Sequence, residues 1–195
     1  MKILVCGGAG FIGSAFIRNY LNNHQNDIIL NLDSLTIGSN LKNLKGIEQN
    51  QNYQFFKDDI KNQDTVNKLV NDVDTIINFA AESHVDRSIA NPKPFIETNI
   101  LGTFSLLEAA KKFEKLFIHV STDEVYGDAE DSESFTEKSL IKPSNPYSAT
   151  KASSDHLVAA YHRTYKIKCI TTRCTNNFGP FQFPEKLIPK TIIRA

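Results

Sequence analysis

The run Gly7-Gly8-Ala9-Gly10-Phe11-Ile12-Gly13, placed directly after the apolar stretch Lys2–Cys6, constrains this chain more than any other feature. Glycines at 7, 10 and 13 let the backbone turn tightly out of a strand, leave room for a pyrophosphate to come close, and allow the next helix to pack on the sheet. A helix that starts at such a turn offers free N–H groups and the positive end of its dipole to phosphate. A purely structural strand-to-helix turn is the alternative. Against it stands Asp33, which closes the second apolar run about twenty residues after Gly13, where a carboxylate takes the ribose hydroxyls of an adenosine and repels a 2′-phosphate. The pair of features points to NAD rather than NADP. Asp59 and Ile60 end the third apolar run, where a carboxylate reaches the adenine or simply caps a turn. Ala80 and Ala81 follow the fourth, small enough to let a dinucleotide pass.

Short apolar runs alternate with longer amphipathic ones along the whole chain, the pattern of βαβ units and a parallel sheet. Strands are expected at Lys2–Cys6, Asp27–Leu32, Tyr53–Lys57, Thr75–Phe79, Leu116–Ser121 and Lys168–Arg173. They are rich in Ile, Val, Leu and Phe with little alternation, as when both sheet faces are covered. Helices are expected near Gly10–Asn22, Gln63–Val70, Phe95–Phe113 and Pro146–Tyr165, and surface loops at Asn40–Asn52 and Asp128–Glu137. The fold class is α/β, a Rossmann-like doubly wound parallel sheet. Residues 1–175 form the dinucleotide-binding domain and 176–195 begin a smaller substrate-binding lobe. The chain stops at Ala195 inside an apolar helical pattern, as a truncated sequence would.

With 22 Lys+Arg against 22 Asp+Glu, no global field draws the chain to nucleic acid or to an anionic membrane. Phosphate affinity must come from local geometry. Cys6, Cys169 and Cys174 are odd in number, contain no CxxC pair and fall on strands, so they read as buried thiols rather than disulfides or metal ligands. No metal site is expected. The N-terminus reaches glycine too soon for a signal peptide, and no apolar run approaches membrane-spanning length. The expected compartment is the cytoplasm.

Tyr147 and Lys151 lie four apart on one helix face. A phenol with a pKa near ~10 is a poor base, but a lysine cation and a nicotinamide cation beside it favour the phenolate. Tyr147 then takes a hydroxyl proton while the carbon below it gives hydride to NAD. Ser121 and Thr122 end the fifth strand, on the sheet edge where open α/β sheets bind ligands. Asp123 and Glu124 follow directly. Two carboxyl groups in one site tend to titrate apart, so one donates a proton and the other accepts one. Capping of a solvated loop is the competing reading of any Asp-Glu pair.

Taken together, Gly7–Gly13, Leu32–Thr36, Ala80-Ala81-Glu82-Ser83-His84-Val85-Asp86-Arg87-Ser88, Ser121–Gly127, Pro146–Lys151 and Thr175–Pro180 with Phe183–Leu187 resemble the extended short-chain dehydrogenase/reductases that modify nucleotide sugars. The resemblance covers essentially the whole chain. The Ala-Glu-Ser-His-Val-Asp-Arg-Ser run and the Thr-Asp-Glu triplet place it nearest those members that dehydrate dTDP-glucose.

That resemblance implies that Thr122, Asp123, Glu124, Tyr147 and Lys151 carry the chemistry. Tyr147 would deprotonate the hydroxyl on sugar carbon 4, Glu124 would remove the carbon 5 proton, and Asp123 would protonate the carbon 6 hydroxyl so that it leaves as water. Gly7, Gly10, Phe11, Ile12, Gly13, Asp33, Asp59, Ile60, Ala80 and Ala81, with Tyr147 and Lys151, would hold NAD. Ser83, Thr122, Asn177, Glu185, Lys186 and Leu187 would hold the nucleotide sugar, whereas His84 reads as a packed histidine. A homodimer is implied through the helices at 95–113 and 146–165. A dehydratase or epimerase of another nucleotide sugar, or an NAD-binding fragment without turnover, are the alternatives. Two positions depart from the pattern. Cys6 stands where a threonine is usual, and Ile37 where an aromatic residue is usual, at the adenosine pocket. Relatives also continue well past residue 195 and there supply the rest of the sugar-binding lobe.

Overall fold

The computed structural model describes residues 1–129 and 134–195, so the expected acidic loop at 128–137 lies partly outside the described residues. Six strands, β1 (Lys2–Cys6), β2 (Ile28–Asp33), β3 (Tyr53–Lys57), β4 (Thr75–Asn78), β5 (Leu116–Thr122) and β6 (Cys169–Cys174), form one sheet in the order β3-β2-β1-β4-β5-β6. Every pairing is parallel. The chain winds outward from β1 in one direction and from β4 in the other. The crevice at the carboxyl ends of these two central strands is therefore the topological switch point at which such sheets bind ligands.

Both faces of the sheet are covered, which explains strands without a polar face. On one side Ile3, Val5, Ile29 and Ile77 pack with Ile17 and Leu21 of helix α1 (Phe11–Asn23). On the other, Leu4, Leu32, Ile76 and Phe117 pack with Val66 and Leu69 of α2 (Gln63–Asn71) and with Leu106 and Leu107.

Three expectations change. Asn40–Asn52 is not simply a surface loop: a 3-10 turn at Leu41–Leu44 sends Leu44 and Ile47 into the α1 side of the core. Arg18 clamps this segment by donating to the Asn43 and Lys45 carbonyls. A short helix, α3 (Val85–Ala90), occupies a stretch for which no element was expected. The helix expected as one piece at 95–113 is three: α4 (Lys93–Phe95), a π-helical turn (Ile96–Gly102) and α5 (Thr103–Lys112). Periodicity could not show this, because the wide turn is set by tertiary bonds of Asn99. Its side chain accepts from the Glu82 N–H, and donates to the Glu82 carbonyl and to Thr150.

Helix α6 (Pro146–Tyr165) matches its expected span, and its start is strongly encoded. Asn145 and Ser148 form a reciprocal capping box, and Pro146 occupies the first turn, where its missing N–H is no loss. The last helix, α7 (Leu187–Arg194), buries none of its residues. Among the described residues no helix is long and apolar enough to cross a membrane.

Phe117 is wholly buried near the start of β5. Phe117→Ala is expected to destabilise the fold by roughly 3–5 kcal/mol, read as a shift of the urea midpoint at constant slope.

Candidate functional site

A cleft of about 280 Å³ lies along the carboxyl ends of β1, β2, β4 and β5. At one end is the glycine turn. Gly7 has φ +78°, and a Cβ there would sit 2.5 Å from the Ala80 nitrogen, so the turn presses against the backbone that follows β4. A Cβ on Gly13 would lie 2.3 Å from the Gly7 carbonyl oxygen, so α1 also fits only without a side chain. A Cβ on Gly10 would lie 3.3 Å from the Gly7 carbonyl oxygen, tight but without the overlap met at Gly7 and Gly13. Helix α1 starts there with no side-chain cap and no acidic residue in its first turn, leaving its first N–H groups to an anion.

Asp33 holds the turn from the β2 side. It is almost fully buried, and its carboxylate accepts from the Ala9 N–H at 2.9 Å and the Leu35 N–H at 2.8 Å. One acceptor position on the Leu35-bound oxygen is left for a ribose hydroxyl. Beneath it, Asn31 accepts from the Gly8 N–H and donates to the Tyr53 hydroxyl. Uncapped helix end, glycine cradle and oriented carboxylate together fit the adenosine pyrophosphate of a dinucleotide. All ten residues expected from sequence to hold that part, Gly7, Gly10, Phe11, Ile12, Gly13, Asp33, Asp59, Ile60, Ala80 and Ala81, line the cleft. Asp59 also accepts from the Lys61 N–H, so it caps the turn into α2 as well. Ile37, one of the two departures, lines the same end.

At the other end, Thr122, Glu124, Tyr147 and Lys151 face the cleft, together with Ser121. Ser121 is buried and its hydroxyl has no partner, a polar group left open on the cleft wall. Thr122 closes β5 and opens a 3-10 turn at Asp123–Tyr126, where its hydroxyl accepts from the Glu124 N–H and donates to Asp123. Asp123 itself does not line the cleft. The capping residue Asn145 donates to the Glu124 carboxylate at 3.4 Å, and the Ser88 hydroxyl accepts from the Tyr147 N–H at 3.1 Å. Neither was singled out individually from sequence. An Asn-Pro pair at a helix start was the available signal for Asn145, while Ser88 meets α6 only through the fold.

In the chain alone the surroundings disfavour the phenolate. Burial pushes the Tyr147 phenol up from its ordinary value, and the charge of Glu124 pushes it further; only the Thr122 hydroxyl pulls the other way appreciably. Lys151 therefore does not lower it in the chain by itself. Burial also brings Lys151 down to about 8, partly offset by Asp155 and Cys174. Its Nζ donates to the Val120 carbonyl at 2.8 Å.

The residues expected to hold the sugar nucleotide divide. Ser83, Asn177 and Lys186 line the cleft, and Lys186 donates to the Ser83 carbonyl at 3.4 Å. Glu185 does not: it is paired with Arg87 at 2.8 Å and lies 3.6 Å from the His84 ring. Leu187 stands on α7, 80% exposed and away from the cleft. Thr98, Ser39, Asp58 and Gln182 also line the cleft and were missed; none belongs to a spaced motif, and only the topology brings them there.

Against known proteins, the model of the family described as GDP-mannose 4,6 dehydratase matches residues 4–195. The dTDP-glucose 4,6-dehydratase of Escherichia coli is 49% identical over 216 aligned residues, spanning 100% of this chain and 59% of the relative. A solved dTDP-glucose 4,6-dehydratase from Bacillus anthracis, in complex with NAD, superposes with a TM-score of 0.93 at 45% identity, covering 100% of this chain and 61% of that one. One from Streptomyces venezuelae, also with NAD bound, gives 0.96 at 46% identity, covering 100% and 62%. The chain thus spans about 60% of the length of the curated relatives it matches.

The buried lysine makes a stability prediction. The unfolded chain holds that proton up to the ordinary 10.5 and the folded chain only to about 8. Below pH 8 both states are charged and the desolvation penalty, roughly 3 kcal/mol, is fully present; between 8 and 10.5 the folded state releases its proton first and the penalty fades. Lys151→Met is expected to be more stable than the parent at pH 7 by roughly 1–2 kcal/mol, less than the full penalty because the Val120 carbonyl loses its donor. Chemical denaturation across this range should show that advantage shrinking as pH rises.

Proposed function

We propose, from the premise that this chain belongs to the GDP-mannose 4,6 dehydratase family, that it is built to bind NAD and to dehydrate a nucleoside-diphosphate hexose, dTDP-glucose first among them, to the 4-keto-6-deoxy sugar. The observation that carries the reading is the sharing of one cleft by the glycine turn and by Thr122, Glu124, Tyr147 and Lys151. An NAD-binding fold that served only hydride transfer would have no use for a carboxylate beside the tyrosine. The relatives named as dTDP-glucose 4,6-dehydratases support the sugar and the base.

When bound, NAD supplies the acceptor and later the donor of a hydride. The remaining work falls to the chain. The Tyr147 hydroxyl, held by the Ser88 contact at its backbone, takes the proton of the sugar's carbon 4 hydroxyl. Its upward-shifted pKa means that the phenolate would need positive charge close by, which a bound nicotinamide would supply together with the Lys151 ammonium one helical turn away. Thr122 orients the reacting oxygen. Once carbon 4 is a ketone the carbon 5 proton is acidic, and Glu124, steadied by Asn145, removes it. Asp123, tied to Thr122, protonates the carbon 6 hydroxyl as it leaves as water. Burial excludes bulk water from the Tyr147–Lys151 end of the cleft.

Ser83, Asn177 and Lys186 hold the nucleotide sugar, and a homodimer forms through exposed apolar side chains of the helical face that carries Ile96, Leu101 and Phe104. That α7 buries none of its residues favours one other reading, binding of NAD without turnover. Titration calorimetry with NAD and then with dTDP-glucose separates the two. Both are expected to bind, with formation of the keto sugar and no net reduction of NAD. Heat from NAD alone would leave only the second reading.

Glu124→Gln and Asp123→Asn are each expected to lower the dehydration rate by roughly 10²–10⁴-fold while leaving NAD affinity within about twofold, because neither acts on the cofactor. Equal losses of rate and of NAD affinity would contradict those roles.

A further inference from the structure

Behind the reacting centre lies a buried polar layer to which the mechanism gives no part. Asp155 follows Lys151 by one helical turn, as Tyr147 precedes it. Its side chain is 2% exposed, yet only one of its oxygens is satisfied: Oδ2 accepts from Arg173 Nε of β6 at 2.8 Å, while Oδ1 has no hydrogen-bond partner. Arg173 is braced in turn by donating to the Tyr126 hydroxyl at 2.8 Å and by lying over that ring. From β5, His119 brings its Nε2 to 3.6 Å from the open Oδ1, beyond hydrogen-bond reach, and neither of its ring nitrogens has a partner. A buried carboxylate is expensive unless it is needed, and apolar side chains would fill this space at less cost.

We infer that Asp155 is a positioning residue for the reacting centre: fixed by Arg173, it holds a negative charge one helical turn from Lys151 and so keeps an ammonium there, one turn from Tyr147. The groups around Lys151 make this charge hard to replace. From β5, His119 is held well below its ordinary range by burial and by the Lys151 and Arg173 charges, and it is neutral at neutral pH. From β6, Cys174 adds a thiol, while the charge of Arg173 bears on His119. Asp123 and Glu124 lie on the other side, beyond Thr122, at the Tyr147 end of the site. Burial works against the lysine's charge, and Asp155 is the largest influence in its favour. The open Oδ1 leaves the carboxylate with more of its field than a fully bonded one would have.

The inference rests on the proposed role of Lys151, but its test does not need turnover. In protein labelled with ¹³C-lysine, the ε-methylene signal that disappears in Lys151→Met reports the titration of Lys151. The parent is expected to titrate near 8. Asp155→Asn is expected to lower that midpoint by about one pH unit. Because the single variant strands the Arg173 guanidinium, Asp155→Asn with Arg173→Gln is the second arm, expected to keep the fold and still to titrate below the parent. A folded double variant with an unchanged midpoint, or loss of the fold in both variants, overturns the proposal and leaves Asp155 a structural residue. Failure of the parent to bind NAD or form the keto sugar would instead sink the functional reading, and the lysine midpoints would still decide the role of Asp155.

Discussion

The contact on which the rest depends is the one between the glycine turn and the end of β4. Gly7 touches the Ala80 backbone with no room for a Cβ, and Gly13 lies against the Gly7 carbonyl. These approaches bring the start of α1, the end of β2 and the segment after β4 around a single crevice at the switch point of the sheet. Asp33 then locks the turn by accepting from the Ala9 N–H, so the residue that would read a ribose also shapes the phosphate cradle. A side chain at Gly7 would push the turn away from the segment that follows β4, and one at Gly13 would push α1 off the turn. Loss of the crevice would follow before loss of the fold.

The reacting end is held by a different kind of force. Tyr147 and Lys151 are buried ionisable groups whose charged forms are both disfavoured by the surroundings. The Val120 carbonyl of β5 accepts from the lysine and offsets part of that cost, while Ser88 from α3 holds the tyrosine backbone and Asn145 from the capping box holds Glu124. The same asparagine that starts α6 thus steadies a reacting carboxylate. The centre carries strain of solvation rather than of geometry, and a cationic ligand beside Tyr147 would favour its phenolate while adding to the cost of the Lys151 charge.

Much of this was legible in the sequence because it is local. The glycine turn, Asp33 at the end of β2, the four-residue spacing of Tyr147 and Lys151, and the Thr122–Glu124 triplet at the end of β5 each follow from neighbours along the chain. What stayed hidden was set by long-range contacts. The π-helical turn at 96–102 exists because Asn99 bonds Glu82 and Thr150, far from it in sequence. Leu44 and Ile47 looked like loop residues because they are isolated among polar neighbours, yet Arg18 pins their segment on the core. The pairing of Glu185, expected at the sugar, with Arg87 joins residues 98 apart. The upward push on the Tyr147 pKa stayed hidden because it comes from burial and from the charge of Glu124, and burial is not written in a four-residue motif.

The central claim is that one cleft moves a hydride away from the sugar, eliminates water and returns the same hydride. The most direct measurement follows the label. With NAD bound and dTDP-glucose carrying deuterium on carbon 4, this account predicts that the deuterium reappears on carbon 6 of the keto sugar, with no net change in the oxidation state of the cofactor. Deuterium accumulating in reduced cofactor, or remaining on carbon 4 of an epimerised sugar, would contradict it.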